Sequence, residues 1–289
     1  MRSSSAVRWA MAWCVVLAAS DQRAFGQVIA YEGFNYAAGG NLHTLNGGTG
    51  WANAWVEPNF GTGSLNDNVP ETIQAGSLSF GGLVTSGNRV FTGGRFSYDI
   101  RNLGTALGAA GTTRYASFLL RRDVVGPDPL SNGPDYGGVV FGDENSPNSL
   151  FVGKPGGGNL LNYALENGVG AGQISSTQPE VLGATALLVV RFDFTATNDT
   201  VRLYVNPAGG AEPAVADAIK SDLNLSTFVG VSISTGAAAR WSVDEIRVGI
   251  TFADVTPVPE PGSMGFILIG GLSALWCHVW RRQARPAGR

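Results

Sequence analysis

Side chains that commonly do chemistry are scarce in this 289-residue sequence. It has two histidines, His43 and His278, and two cysteines, Cys14 and Cys277. Zinc sites built from Cys and His are therefore excluded from the long middle of the chain. A serine triad would have to draw on His43, and no Gly-x-Ser-x-Gly elbow is present. His43 stands among Asn41, Thr44 and Asn46 and reads as a solvated loop residue. Asp143 and Glu144 are adjacent, so on a strand they would point to opposite faces. Ahead of Asn145 and Pro147 they read as turn carboxylates. The glycine-rich stretch 153–158 (GKPGGG) suits a flexible turn better than a phosphate cradle. Neither a P-loop nor an EF-hand loop occurs.

Aromatic residues offer a different chemistry. Sugar faces stack on rings while polar neighbours fix their orientation. Trp51 and Trp55, in Gly50-Trp51-Ala52-Asn53-Ala54-Trp55, lie four apart and would share one face of a strand. That face is either a glycan platform or part of a core. Tyr136, in Pro134-Asp135-Tyr136-Gly137, is the loop candidate for glycan binding. Between 28 and 256 there are 12 basic and 20 acidic residues, a net charge of −8. Such a surface favours cations and opposes phosphate backbones, so nucleic acid is excluded as a partner.

The elements that would position these residues read as strands. Glycine supplies 41 positions, roughly double ordinary usage, which suits a turn-rich β domain. Apolar alternation of period two recurs. It runs through Ala116, Phe118 and Leu120, then through Leu188, Val190, Phe192 and Phe194. It returns at Val201, Leu203 and Val205, and at Val229, Val231 and Ile233. The stretch 195–200 predicts a hairpin loop. Residues 213–223 predict the one short helix, with Pro213 at its first position. No linker or fixed-period repeat divides residues 27–255, which read as one ectodomain.

Both ends read as transport signals. Residues 1–26 carry Arg2 and Arg8, an uncharged stretch from Trp9 to Ala19, and Ala24-Phe25-Gly26, the order of a signal peptide cut by signal peptidase. Cys14 and Cys277 lie in the two end segments, so the ectodomain has no disulfide. Residues 262–280 hold no Asp, Glu, Lys or Arg. As a helix they would span about 28 Å, close to the thickness of a bilayer core. Arg281 and Arg282 open a basic end, 281–289, which fixes that side in the cytoplasm. Val258-Pro259-Glu260-Pro261 stands just before the span. Residues 256–289 thus resemble the PEP-CTERM family of sorting tails in motif, span and basic end. The resemblance implies recognition by an exosortase at Val258–Pro261, an inner-membrane-anchored precursor, and a mature form at the cell surface or in an exopolysaccharide matrix.

Three ectodomain stretches carry a second resemblance. They are Ile29 to Tyr36 (IAYEGFNY), Leu187 to Pro207, and Trp241 to Gly249 (WSVDEIRVG). They look like the opening strand, central hairpin and closing strand of concanavalin A-like, LamG-like jelly rolls. That implies an all-β sandwich whose first and last strands pair. In the last strand, Trp241 and Val243 are out of phase with Ile246 and Val248, so a β-bulge near Asp244-Glu245 is expected to bring all four to the core. Some jelly rolls of this type hold a structural calcium, and the resemblance implies one at Asp244, which occupies the matching position and which a carbonyl near Glu32 could face; the alternative is that Asp244 caps the bulge or pairs with Arg247. Others cleave glycans with a Glu-x-Asp-x-x-Glu pattern on one strand. No Glu here is followed two residues later by Asp. The expectation is therefore a noncatalytic adhesive or glycan-binding surface protein, not an enzyme. A divergent glycoside hydrolase or polysaccharide lyase is the alternative.

Overall fold

A strand buried on one face must send alternate side chains inward, and the described residues form fourteen strands, among them the alternating runs at 116–120, 188–192 and 201–205. The computed structural model describes residues 28–57, 70–92, 97–124, 135–142, 146–156, 161–168, 170–225, 228–236 and 239–257. The expected leader, the Val258–Pro261 motif, the expected span 262–280, the basic stretch 281–289 and Asp143-Glu144 lie outside the described residues. Among the described residues, no helix is long and apolar enough to cross a membrane.

The strands form two antiparallel sheets. One sheet contains β1 (Val28–Glu32), β2 (Thr72–Gln74), β3 (Arg89–Phe91), β5 (Thr113–Val124), β10 (Ala186–Asp193), β11 (Asp199–Val205), β12 (Ala218–Leu223) and β14 (Arg240–Gly249). Its order is β12-β11-β10-β5-β14-β3-β2, with β1 also paired to β14. The other contains β4 (Ser97–Leu107), β6 (Tyr136–Phe141), β7 (Leu150–Lys154), β8 (Asn162–Asn167), β9 (Ala171–Pro179) and β13 (Phe228–Gly236). Its order is β4-β13-β6-β7-β8-β9. The result is an all-β sandwich of two antiparallel sheets.

The predicted pairing of first and last strands is present, from Val28 opposite Gly249 to Glu32 opposite Ile246. The predicted bulge is present too. Register shifts between Asp244 and Arg247, and Glu245 sits at φ 53°. Trp241, Val243, Ile246 and Val248 are consequently all buried between the sheets. Phe141 is the hub of that core, with ring centroids 5.3 Å from Phe192 and 5.4 Å from Phe228. Gly137 is required by close packing, since a Cβ there would meet the Trp241 ring at 2.4 Å. A second apolar layer covers the outside of the eight-stranded sheet. There Leu119, Leu187 and Val189 pack under Phe252 and Val255 of the four-residue helix α1 (Phe252–Val255).

Two sequence expectations fail. Residues 213–223 form no helix: Ala218–Leu223 is β12, hydrogen-bonded to β11 with Ile219 opposite Arg202. The eight-stranded sheet offers an unpaired edge at β11, and pairing to it outweighs weak helix propensity. Val229 is 41% exposed although Val231 and Ile233 are buried. A register shift between Phe228 and Gly230 turns Phe228 inward in its place.

Candidate functional site

Strand alternation also carries charged residues inward. On β4, Asp99 faces Ile233 and Arg101 faces Val231 across the ladder to β13. Ile233 and Val231 belong to the core, so Asp99 and Arg101 point between the sheets. The segment 51–57 runs along the other side of β4 through bridges Trp51–Leu103 and Val56–Ile100. Val56 is exposed, and its neighbours Trp55 and Glu57 turn in. Glu71 sits two residues before buried Ile73, and Glu32 two after buried Ala30. Two polar clusters result, side by side.

The first is centred on Arg101, which is 1% exposed. Its Nη1 pairs with Glu32 Oε2. Its Nη2 donates to Asn46 Oδ1 and the Gly47 carbonyl, both at 2.7 Å, and its Nε to the Asn53 carbonyl at 2.9 Å. The guanidinium lies 5.1 Å from the Trp51 ring and 5.7 Å from the Trp55 ring. Glu32 accepts further from the Phe34 N–H, the Tyr36 hydroxyl and the Trp55 indole N–H at 2.8, 2.7 and 3.2 Å. Burial and the adjacent Glu32 carboxylate push the Tyr36 hydroxyl up to about 12. Every charge here has a partner, which is what burial demands.

The second cluster is acidic. Glu57, Glu71 and Asp99 are 3%, 0% and 0% exposed. Each offers a carboxylate oxygen, and these oxygens lie within 4.8 Å of one another. Among the described residues, no lysine or arginine pairs with Glu57 or Asp99. Neither oxygen of Glu57 has a hydrogen-bond partner there. The Glu57 backbone N–H donates to His43 Nδ1 at 3.1 Å, which moves His43 from a solvated loop to the flank of the cluster. Burial, then the charge of Glu71, push the Glu57 carboxyl up to about 7. Burial likewise raises Asp99 to about 6, opposed by its contact with Glu71 and reinforced by Glu57.

Asp244 occupies a different place. Its Oδ2 accepts from Ser77 Oγ at 2.5 Å and the Leu78 N–H at 2.7 Å, and its Oδ1 from the Glu245 N–H at 2.8 Å. Glu245, not Asp244, pairs with Arg247, at 2.6 Å. Glu245 also accepts from Tyr31 and from the Ser86 N–H. The two acids therefore fasten residues 77–86 onto the bulge. Burial raises the Asp244 carboxyl to about 7. It does not join the one group of three ligating side chains found among the described residues.

The aromatic candidates separate. Trp55 is 0% exposed and stacked 5.9 Å from Phe34, so it has no face to give a sugar. This corrects its reading as a glycan contact. Trp51 is partly buried, packs on the core and spends its indole N–H on the Tyr31 carbonyl at 3.0 Å. Tyr136 begins β6 and points away from the core, since Val139 and Phe141 point into it. Its ring covers Gly236, where a Cβ would lie 2.0 Å from it. It meets Phe151 edge-on at 6.1 Å.

Sequence reasoning missed the acidic trio because its members come from three separate segments. The available signal was Asp99 and Arg101 in phase with Leu103 on one face of a strand, two charges where the alternation calls for apolar residues.

No protein-family model matches the chain, and no curated protein matches it. Solved structures do. The endo-β-1,4-glucuronan lyase of the fungus Trichoderma reesei matches over 76% of this chain and 99% of its own, at 14% identity and TM-score 0.41. The endo-1,3-β-glucanase of Streptomyces sioyaensis matches over 78% and 96%, at 11% identity and TM-score 0.46. The carbohydrate recognition domain of Emp47p matches over 58% and 85%, at 12% identity and TM-score 0.33. These likenesses concern the sandwich alone. They do correct one expectation: this sandwich is found in glycan-cleaving enzymes as well as in carbohydrate-recognition domains, so assigning the chain to the non-enzymes does not stand.

Proposed function

We propose that this chain is an exported bacterial protein whose sandwich handles extracellular polysaccharide at the outer face of the six-stranded sheet. Tyr136 is the observation that supports the reading: a half-buried ring facing outward on a floor of glycine, braced by Phe151. Ser232 and Ser234 lie on the same side of the sheet, opposite Val140 and Gly138, but both are buried, so the ring of Tyr136 is the part of that face the reading rests on. Delivery rests on the sequence of the two ends: a leader for export, then Val258–Pro261, the apolar span and Arg281-Arg282 for handling by an exosortase.

A glycan array carrying β-1,3-glucan and glucuronan among its polymers tests the sandwich. Binding that Tyr136→Ala abolishes, at an unchanged melting temperature, supports the reading. An array with no retained glycan rejects it. The same incubations read cleavage: new reducing ends report hydrolysis, and an unsaturated ultraviolet-absorbing product reports elimination. Deletion of residues 258–289 tests delivery and is expected to keep the protein from the cell surface.

A further inference from the structure

We propose that Glu57, Glu71 and Asp99 hold a calcium ion between the sheets, at the corner where β2 ends one sheet and β4 ends the other. The donor set is carboxylate oxygen alone, which selects hard cations and disfavours zinc and copper. Oxygens on opposite sides of calcium stand about 5 Å apart, twice its bond length, and about 4 Å apart around magnesium. Three oxygens within 4.8 Å of one another therefore fit inside a calcium shell. Magnesium also keeps several of its waters, and the three carboxylates are at most 3% exposed.

Glu57 turns an acidic cluster into a site. Its carboxylate is buried, aimed at two other acids, and met by no donor among the described residues. A buried carboxylate without a donor or counter-charge is costly, and a cation removes that cost. Arg101 cannot supply the charge. All of its nitrogens are engaged by Glu32, Asn46, Gly47 and Asn53. Asp244 is the weaker locus, because three N–H and O–H donors already point at its oxygens where a cation would need them free.

The test is thermal unfolding and calorimetric titration of the full chain after stripping with EGTA. Calcium is expected to raise the melting temperature of the wild-type protein and of Asp244→Asn, with magnesium at equal concentration giving a smaller shift. Glu57→Gln removes a like charge, so its metal-free form is expected to melt above metal-free wild type. That higher melting point shows that the variant folds. Its calcium affinity is expected to fall on the order of tenfold or more. Wild-type protein that ignores calcium overturns the proposal. Equal calcium shifts in wild type and Glu57→Gln, or loss of the shift in Asp244→Asn alone, overturn it as well.

Discussion

Two residues apart on the same face of β4, Arg101 and Asp99 meet opposite fates. Arg101 lies against Glu32, with carbonyls on its remaining nitrogens and two indole rings beside it. Asp99 lies against two more acids. Both are buried to 1% or less. The sheet edge therefore does not by itself make a charge tolerable; its neighbours do. The first neighbourhood is complete as protein, whereas the second is complete only with protons or a cation.

Breaking the complete neighbourhood should cost most. Arg101→Ala strands the buried Glu32 carboxylate and is expected to lose about 3–5 kcal/mol in urea unfolding. A loss below about 1 kcal/mol would show that Glu32 finds water or another donor.

The acidic neighbourhood should respond with the opposite sign. Glu57 and Asp99 have folded-state pKa values of about 7 and 6, above their ordinary 4.5 and 3.8. Their protonated forms favour the fold. That stability is complete below the ordinary values and is lost as pH rises through 6 and 7. Metal-free protein should accordingly melt at a lower temperature at pH 8 than at pH 5. Asp244, raised to about 7, adds to the same trend. Burial also raises the Glu166 and Glu180 carboxyls, so Glu57→Gln should flatten the curve in part, and an unflattened curve would move the effect to Asp99, Asp244, Glu166 and Glu180.

Trp51→Phe is the mildest intervention. It removes the indole N–H bond to Tyr31 and weakens the ring contact with Arg101. A loss of about 1 kcal/mol is expected from denaturant titration. No measurable loss would mean that the ion pair alone secures Arg101.

Much of the sandwich was readable because alternation is local. The β10–β11 hairpin, with Leu188 opposite Val205 and Asp193 opposite Thr200, follows from two apolar runs around a polar turn. The phase break in Trp241-Ser242-Val243-Asp244-Glu245-Ile246 announced its bulge. β12 was not readable, since whether residues 218–223 coil or extend depends on a free edge 13 residues away in sequence. Trp51 and Trp55 showed only a shared face, and their burial depended on which element lay opposite.

By itself the sequence determined an acidic, cysteine-free, β-patterned stretch over residues 28–256, because composition and short-range period need no partner to be read. Only the tertiary structure decided that Glu57, Glu71 and Asp99 converge while Asp244 stands apart. Residues 14 and 28 positions apart in sequence meet only when β2 and β4 close one corner of the sandwich, and that closure is a property of the register of the strands and not of any one segment.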